Sequence, residues 1–190
     1  MAIAWAIGAG IGLSSLAGFR AFLPVAVFMF MSRLGWSWGI QVEGTSFDFL
    51  TSNLVIVILL ALVVLEVLLT RVGSLVTLER MLRLPLAAAA GALLFTAALA
   101  GESAGSVLHF LGIPLGLGLA WLGYYVYRGL MHVGEGRDPG PALDLSVVVL
   151  SVLMMLLPPA GFFFGALTAW LALRVRKLKR MKYKGLRVLA

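Results

Sequence analysis

Four ionisable side chains stand within or at the ends of long apolar stretches of this sequence: Arg20, Glu66, His109 and Asp144. A charged group in hydrocarbon is costly, so each is expected to face the protein interior, water or an opposite charge. Arg20 lies in the run Gly-Phe-Arg-Ala-Phe-Leu-Pro, residues 18–24. Pro24 has no backbone N–H, which leaves the Arg20 carbonyl one turn back without its helical donor. A free carbonyl beside a guanidinium makes a polar spot in an otherwise dry helix. That spot suits either a midplane binding site or an arginine paired to an acid to fix packing. Glu66 could pair with Arg71, reach the membrane interface or meet Arg20. Asp144 follows a Gly-Pro-rich turn and is expected to cap the helix it opens. If the N-terminus starts outside, the first block turns back at Pro24 and Arg20 and Glu66 meet, with Asp144 nearby at the same depth; if it starts inside, the two lie a membrane thickness apart. The expected polar membrane site is therefore Arg20, Pro24, Glu66 and Asp144.

Little else in the sequence could do chemistry. There is no cysteine, which removes thiol catalysis and thiolate metal sites. The two histidines, His109 and His132, are isolated, so no zinc site is expected. No Ser-His-Asp order, nucleophile elbow or carboxylate pair at helical spacing stands out. The expectation is no catalytic residue, no metal and no cofactor, hence no enzyme.

The elements that must position these residues are membrane segments. Of 190 residues, 62% are hydrophobic and 12% charged, against about 25% charged in a soluble domain. A soluble fold of this size cannot hide that much apolar surface. With a mean hydropathy of +1.05, the chain reads as an all-α integral membrane protein, a compact polytopic helix bundle with four to six membrane segments. Residues 1–173 form the membrane domain and 174–190 a basic cytoplasmic tail. The opening MAIAWAIGAGIG has no basic leader region and reads as mature protein.

Five apolar blocks carry the bundle. Leu54 to Leu69, Leu84 to Ala100 and Ser106 to Tyr127 each approach the ~20 residues of one span. Ala2 to Met31 and Leu143 to Leu173 are too long for one simple span, and proline breaks both: Pro24 in the first, Pro158 and Pro159 in the last. The pattern along the chain is palindromic, broken at both ends and whole in the middle. Gly8-x-x-x-Gly12, Gly112-x-x-x-Gly116 and Gly161-x-x-x-Gly165 allow close helix crossings. The run Phe162 to Phe164 reads as packing or lipid contact, and Gly134 to Pro141 as a turn-rich loop.

The basic residues give orientation. Arg71, Arg80 and Arg83 in a loop from Arg71 to Arg83, Arg128 and Arg137 in the loop after the fourth block, and the eight cations from Arg174 onward put 13 of 15 on one side if those three segments are cytoplasmic. The last block must then leave and return to that side. Its halves, Leu143 to Leu157 and Ala160 to Leu173, each reach only ~22 Å as helix, so the block is a re-entrant hairpin turning at Pro158-Pro159; the competing form is one kinked, tilted span. The tail also presents Arg176, Lys177, Lys179, Arg180 and Lys182 to anionic membrane lipid. With this charge placed on a membrane protein, nucleic acid is not an expected partner.

The segment Gly18, Phe19, Arg20, Ala21 and Pro24 resembles the opening motif of a bacterial integral-membrane family described as domain of unknown function 4126. Leu65-Glu66 resembles the end of that family's next helix. Arg83, Pro85, Ala87 to Ala90 and Gly91 resemble its Arg-x-Pro start to an Ala-Gly-rich helix, and the proline-interrupted last helix with its basic tail is similar too. The sequence departs at GEGRDPGP, where the family pattern is Asn-rich. The resemblance implies no activity; it adds weight to the architecture and to Arg20, Pro24 and Glu66.

Three functions fit this reading. One is a small transporter or channel-like protein of the bacterial inner membrane, since paired broken segments with ionisable residues point to a midplane site; it would work as a homodimer. Another is an accessory or scaffold subunit that assembles with unlike chains. The third is a membrane-embedded lipid-acting enzyme.

Overall fold

In a computed structural model, residues 2–35, 42, 44–71, 76–100, 106–133 and 140–186 are described. They form seven α-helices and no strand: α1 (Ala2–Ala17), α2 (Phe22–Arg33), α3 (Asn53–Arg71), α4 (Val76–Ala100), α5 (Ser106–Val133), α6 (Pro141–Leu156) and α7 (Ala160–Leu186), with a short 3-10 turn at Asp48–Thr51 before α3. Helices are what an apolar chain must form in hydrocarbon, because each satisfies its own backbone groups. Asn53–Thr70, Met81–Ala100 and Phe110–Met131 are long and apolar enough to cross a membrane. They correspond to the three blocks expected as whole spans.

Helix α1 is the central element and touches α2, α4, α5, α6 and α7. Its small residues make this close contact feasible: Ala6, Ala9, Ser14, Ser15 and Ala17 are all buried. The order of contacts fixes direction. Arg83, Gly91 and Phe95 of α4 lie against Phe19, Ser14 and Gly10 in turn, so α4 is antiparallel to α1. Ser14 donates its hydroxyl to the Gly91 carbonyl at 2.8 Å. Gly116 and Gly112 of α5 meet Gly91 and Thr96 of α4, an antiparallel pair in backbone contact.

The two proline-marked blocks are both helical hairpins. Along α6, Asp144 lies at Arg20, Met154 at Gly12 and Pro158 at Gly8. Along α7, Gly161 lies at Gly8, Gly165 at Ile11, and Val175 at Gly129 of α5, just past the Tyr127 that packs on Phe19. Thus α6 runs against α1, α7 runs with it, and the bend sits beside Gly8. Two consecutive prolines lack the N–H groups to extend α6, and Leu157, preceding them, leaves the helical region at φ −130° and ψ 73°. At the other end α2 runs antiparallel to α3, from Phe22 beside Glu66 to Arg33 bonded to Asn53. Helices α3 and α4, joined by residues 72–75, are antiparallel neighbours, so α2 doubles back against α1. The two bends point in opposite directions.

Three expectations are corrected. The first break falls at residues 18–21, before Pro24 rather than at it. Pro24 is the third residue of α2, where a helix N–H has no internal partner anyway, so it opens that helix instead of breaking one. Just past the end of α1, Gly18 lets α5 cross at backbone contact: a side chain there would strike the Ala120 carbonyl and the backbone at Gly123–Tyr124. Asp144 does not cap α6, whose N-cap is Gly140, at φ 58°, with Pro141 beginning the helix. The stretch read as a loop to Arg83 is helical from Val76, so Arg83 belongs to α4. The basic tail continues α7 without interruption as far as Leu186.

Candidate functional site

The break between α1 and α2 leaves two helix ends inside the bundle. The last carbonyls of α1 and the first N–H groups of α2 have no helical partners. Side chains from other helices supply them. Glu66, on α3, accepts hydrogen bonds from the Ala21 N–H at 2.7 Å and the Phe22 N–H at 3.0 Å, one on each carboxylate oxygen. Its negative charge also meets the positive end of the α2 dipole. Arg83, on α4, donates from Nη2 to the Phe19 carbonyl, and its guanidinium carbon lies over the Tyr127 ring, 3.7 Å from its centre. The ring face attracts the cation, and the negative end of α1 attracts it as well.

Arg20 sits between these two caps. Its Nε donates to Asp144 Oδ1 at 2.6 Å, joining the break to the first turn of α6. Arg20 is 1% exposed and Arg83 7%, whereas Asp144 retains 18%. Phe19 packs against Tyr127 and Phe164, at 6.5 and 6.3 Å between ring centres, and screens one side of the cluster. Arg20 at the break, Glu66 of α3, Arg83 of α4 and Asp144 of α6 together close it.

A family model matches residues 7–177, most of the chain. The chain belongs to that family, described as a domain of unknown function. No curated protein and no solved structure matches it. In this member of domain of unknown function 4126, the opening motif is the α1–α2 break itself. Gly18 permits the crossing with α5, Phe19 and Ala21 present the backbone groups that Arg83 and Glu66 hold, and Arg20 reaches α6.

Arg20, Glu66 and Asp144 are thus brought together, with Pro24 one turn into α2. The bond from Arg20 runs to Asp144, and Glu66 takes the two N–H groups that follow Arg20 in the chain. Arg83 is the site residue missing from the sequence reading, which counted it as an orienting charge. Its signal was present: an arginine two residues before a proline at the head of an Ala-rich apolar run belongs to a helix, not a loop. Arg176 and Lys177 are exposed on α7, while the side chains of Lys179, Arg180 and Lys182 lie outside the described residues, as do those of His109 and His132. Among the described residues, no group of three or more His, Cys, Asp or Glu could hold a metal.

Proposed function

We propose that the protein is a small inner-membrane transporter or channel-like protein whose polar site is the α1–α2 break. The observation that supports this most is that both buried helix ends at the break are closed by charged side chains borne on other helices. Such caps can exchange a backbone partner for a ligand group when the helices shift. Broken helices at membrane depth serve this purpose in transporters, where half-helix ends meet substrate and ion. The opposed α1–α2 and α6–α7 hairpins supply two such elements in one small bundle, the second re-entrant from the side that carries 13 of 15 basic residues. That side is cytoplasmic in this reading. Purified protein in liposomes should dissipate an imposed ion gradient faster than empty liposomes, and Asp144→Asn should change the rate. Fluxes indistinguishable from those of protein-free vesicles would end the reading.

An accessory-subunit role is the second reading. It is supported by α3, whose span is only 6% buried and presents Leu54, Val57, Leu60, Val64 and Leu68 outward. Gentle affinity purification from the native membrane separates the two: an accessory subunit brings stoichiometric unlike chains, and a transporter brings copies of itself.

A further inference from the structure

The helices fall into two sets that are packed differently. Helices α1, α4, α5 and α7 cross one another backbone to backbone, because glycine removes the side chain at each crossing. Gly91 meets Gly116, Gly123 meets Ser15, and Gly161 meets Gly8. Crossings that close hold helices in one register. Helices α2, α3 and α6 form the second set, in which α2 packs along both α3 and α6. Polar bonds clip α2 to α3 at each end. Glu66 holds the Ala21 and Phe22 N–H groups, and Arg33 Nη1 donates to Asn53 Oδ1 at 2.6 Å. Helix α2 and the stretch from Asn53 to Glu66 are both ~20 Å long, so the clips fix the pair along its length.

Between the sets the contacts are looser. Helix α3 faces α4 across a crevice of about 110 Å³, with Leu62, Leu65 and Leu69 on one wall and Leu82 and Leu86 on the other. Helices α6 and α7, consecutive in the chain, scarcely touch. Where α6 lies on α1, the thioether of Met154 rests against Gly12. Among the described residues the buried methionines are Met29, Met31, Met154 and Met155, all on α2 and α6. Methionine is unbranched and adapts to a shifted neighbour. The chain passes between the sets only between helices, at residues 18–21, 72–75, 134–139 and 157–159.

We infer that α2, α3 and α6 move as one body against α1, α4, α5 and α7, hinged at residues 18–21 and 157–159. The leucine crevice is the space into which the moving body closes. The Arg20–Asp144 bond is its latch, since Arg20 stands in a hinge and Asp144 on the moving body. Arg83 holds the other side of that hinge to the fixed set, through the Phe19 carbonyl. The four charges thus lie on the seam, where a shift of one body regroups them. This goes beyond the function proposed above and holds whether or not anything crosses the membrane.

The test uses pairs of spin labels on the full chain in phospholipid liposomes, read as distance distributions by double electron–electron resonance. Val57 on α3, Val149 on α6, Leu115 on α5 and Leu173 on α7 are exposed attachment points. Val57→Cys with Val149→Cys, and Leu115→Cys with Leu173→Cys, lie within one set each and should give narrow distributions. Val57→Cys with Leu115→Cys, and Val149→Cys with Leu173→Cys, cross the seam and should give broader ones. Adding Asp144→Asn removes the charge opposite Arg20. It should shift the means of the crossing pairs by roughly 2–5 Å, between a small helix slide and a one-turn ratchet, and leave the others in place. Crossing pairs as narrow as the within-set pairs overturn the two bodies, and this comparison leaves the charged cluster untouched. Unmoved means in Asp144→Asn overturn the latch. A label at 149 that keeps its distance from 173 while 57 moves overturns the membership of α6.

Discussion

Arg20 and Asp144 lie 124 positions apart in the chain and are joined at 2.6 Å. The bond ties the bend of the first hairpin to the first turn of α6. Breaking a buried pair by removing one partner costs ~3–5 kcal/mol, because the other charge is left behind. Arg20→Met should fall in that range. Asp144→Asn should cost less, since its amide oxygen still accepts from Arg20. The double variant should lose less than the sum of the two. Equilibrium unfolding in mixed detergent micelles measures all three, and strictly additive losses would show that the two side chains do not act as a pair.

Glu66 is predicted to matter as an acceptor for backbone donors as well as a charge. Glu66→Leu strands the Ala21 and Phe22 N–H groups, at ~1–3 kcal/mol for each buried donor left unmade. Glu66→Gln keeps one acceptor oxygen and should lose about half as much. Amide exchange at Ala21 and Phe22 should accelerate in the leucine variant and only partly in the glutamine one. Equal protection in all three proteins would place the cap elsewhere.

The glycines of the hairpin bend and of α5 should behave in opposite ways. A methyl at Gly161 would meet the Gly8 carbonyl, so Gly161→Ala should destabilise by ~1–3 kcal/mol through overpacking between backbones. Gly118 has open space around it, and Gly118→Ala should stabilise by ~0.5–1 kcal/mol through helix propensity. Thermal unfolding of the pair of variants reads both signs. A neutral Gly161→Ala would refute the close α1–α7 crossing.

Topology can be read with single cysteines, because the chain has none of its own. Ser74→Cys, Gly136→Cys and Gly185→Cys should resist an impermeant thiol reagent in intact cells and react once the membrane is opened. Ser46→Cys, before α3, should react from outside. Labelling at 74 or 136 while 185 stays protected would mean that the last block crosses the membrane once.

Much of this arrangement was legible in the sequence. The middle spans show because a lipid-facing helix is apolar on every side. The last bend shows because Pro158 and Pro159 lack donors that no neighbouring residue can replace, whereas Pro24 marks the first bend only from inside the helix that follows it. The meeting of Arg20, Glu66 and Asp144 was inferable because charges at membrane depth must find one another. What stayed hidden depends on three-dimensional crowding. That residue 18 must be glycine follows from where α5 crosses the end of α1, which no local pattern records. That Asp144 serves Arg20 rather than its own helix follows from the antiparallel course of α6. Arg83 looked like one of many orienting cations because its partners, the Phe19 carbonyl and the Tyr127 ring, lie far away in sequence.

The long reach from Arg20 to Asp144 also sets an order of assembly. The first hairpin leaves the ribosome early, while the acid bonded to Arg20 is made 124 residues later. Of the helices packed on α1, α6 and α7 are synthesised last. The nascent chain therefore carries Arg20 through the synthesis of α2 to α5 before the acid bonded to its Nε exists. Every truncation before residue 144 lacks that acid, and the last hairpin brings it to the α1–α2 break.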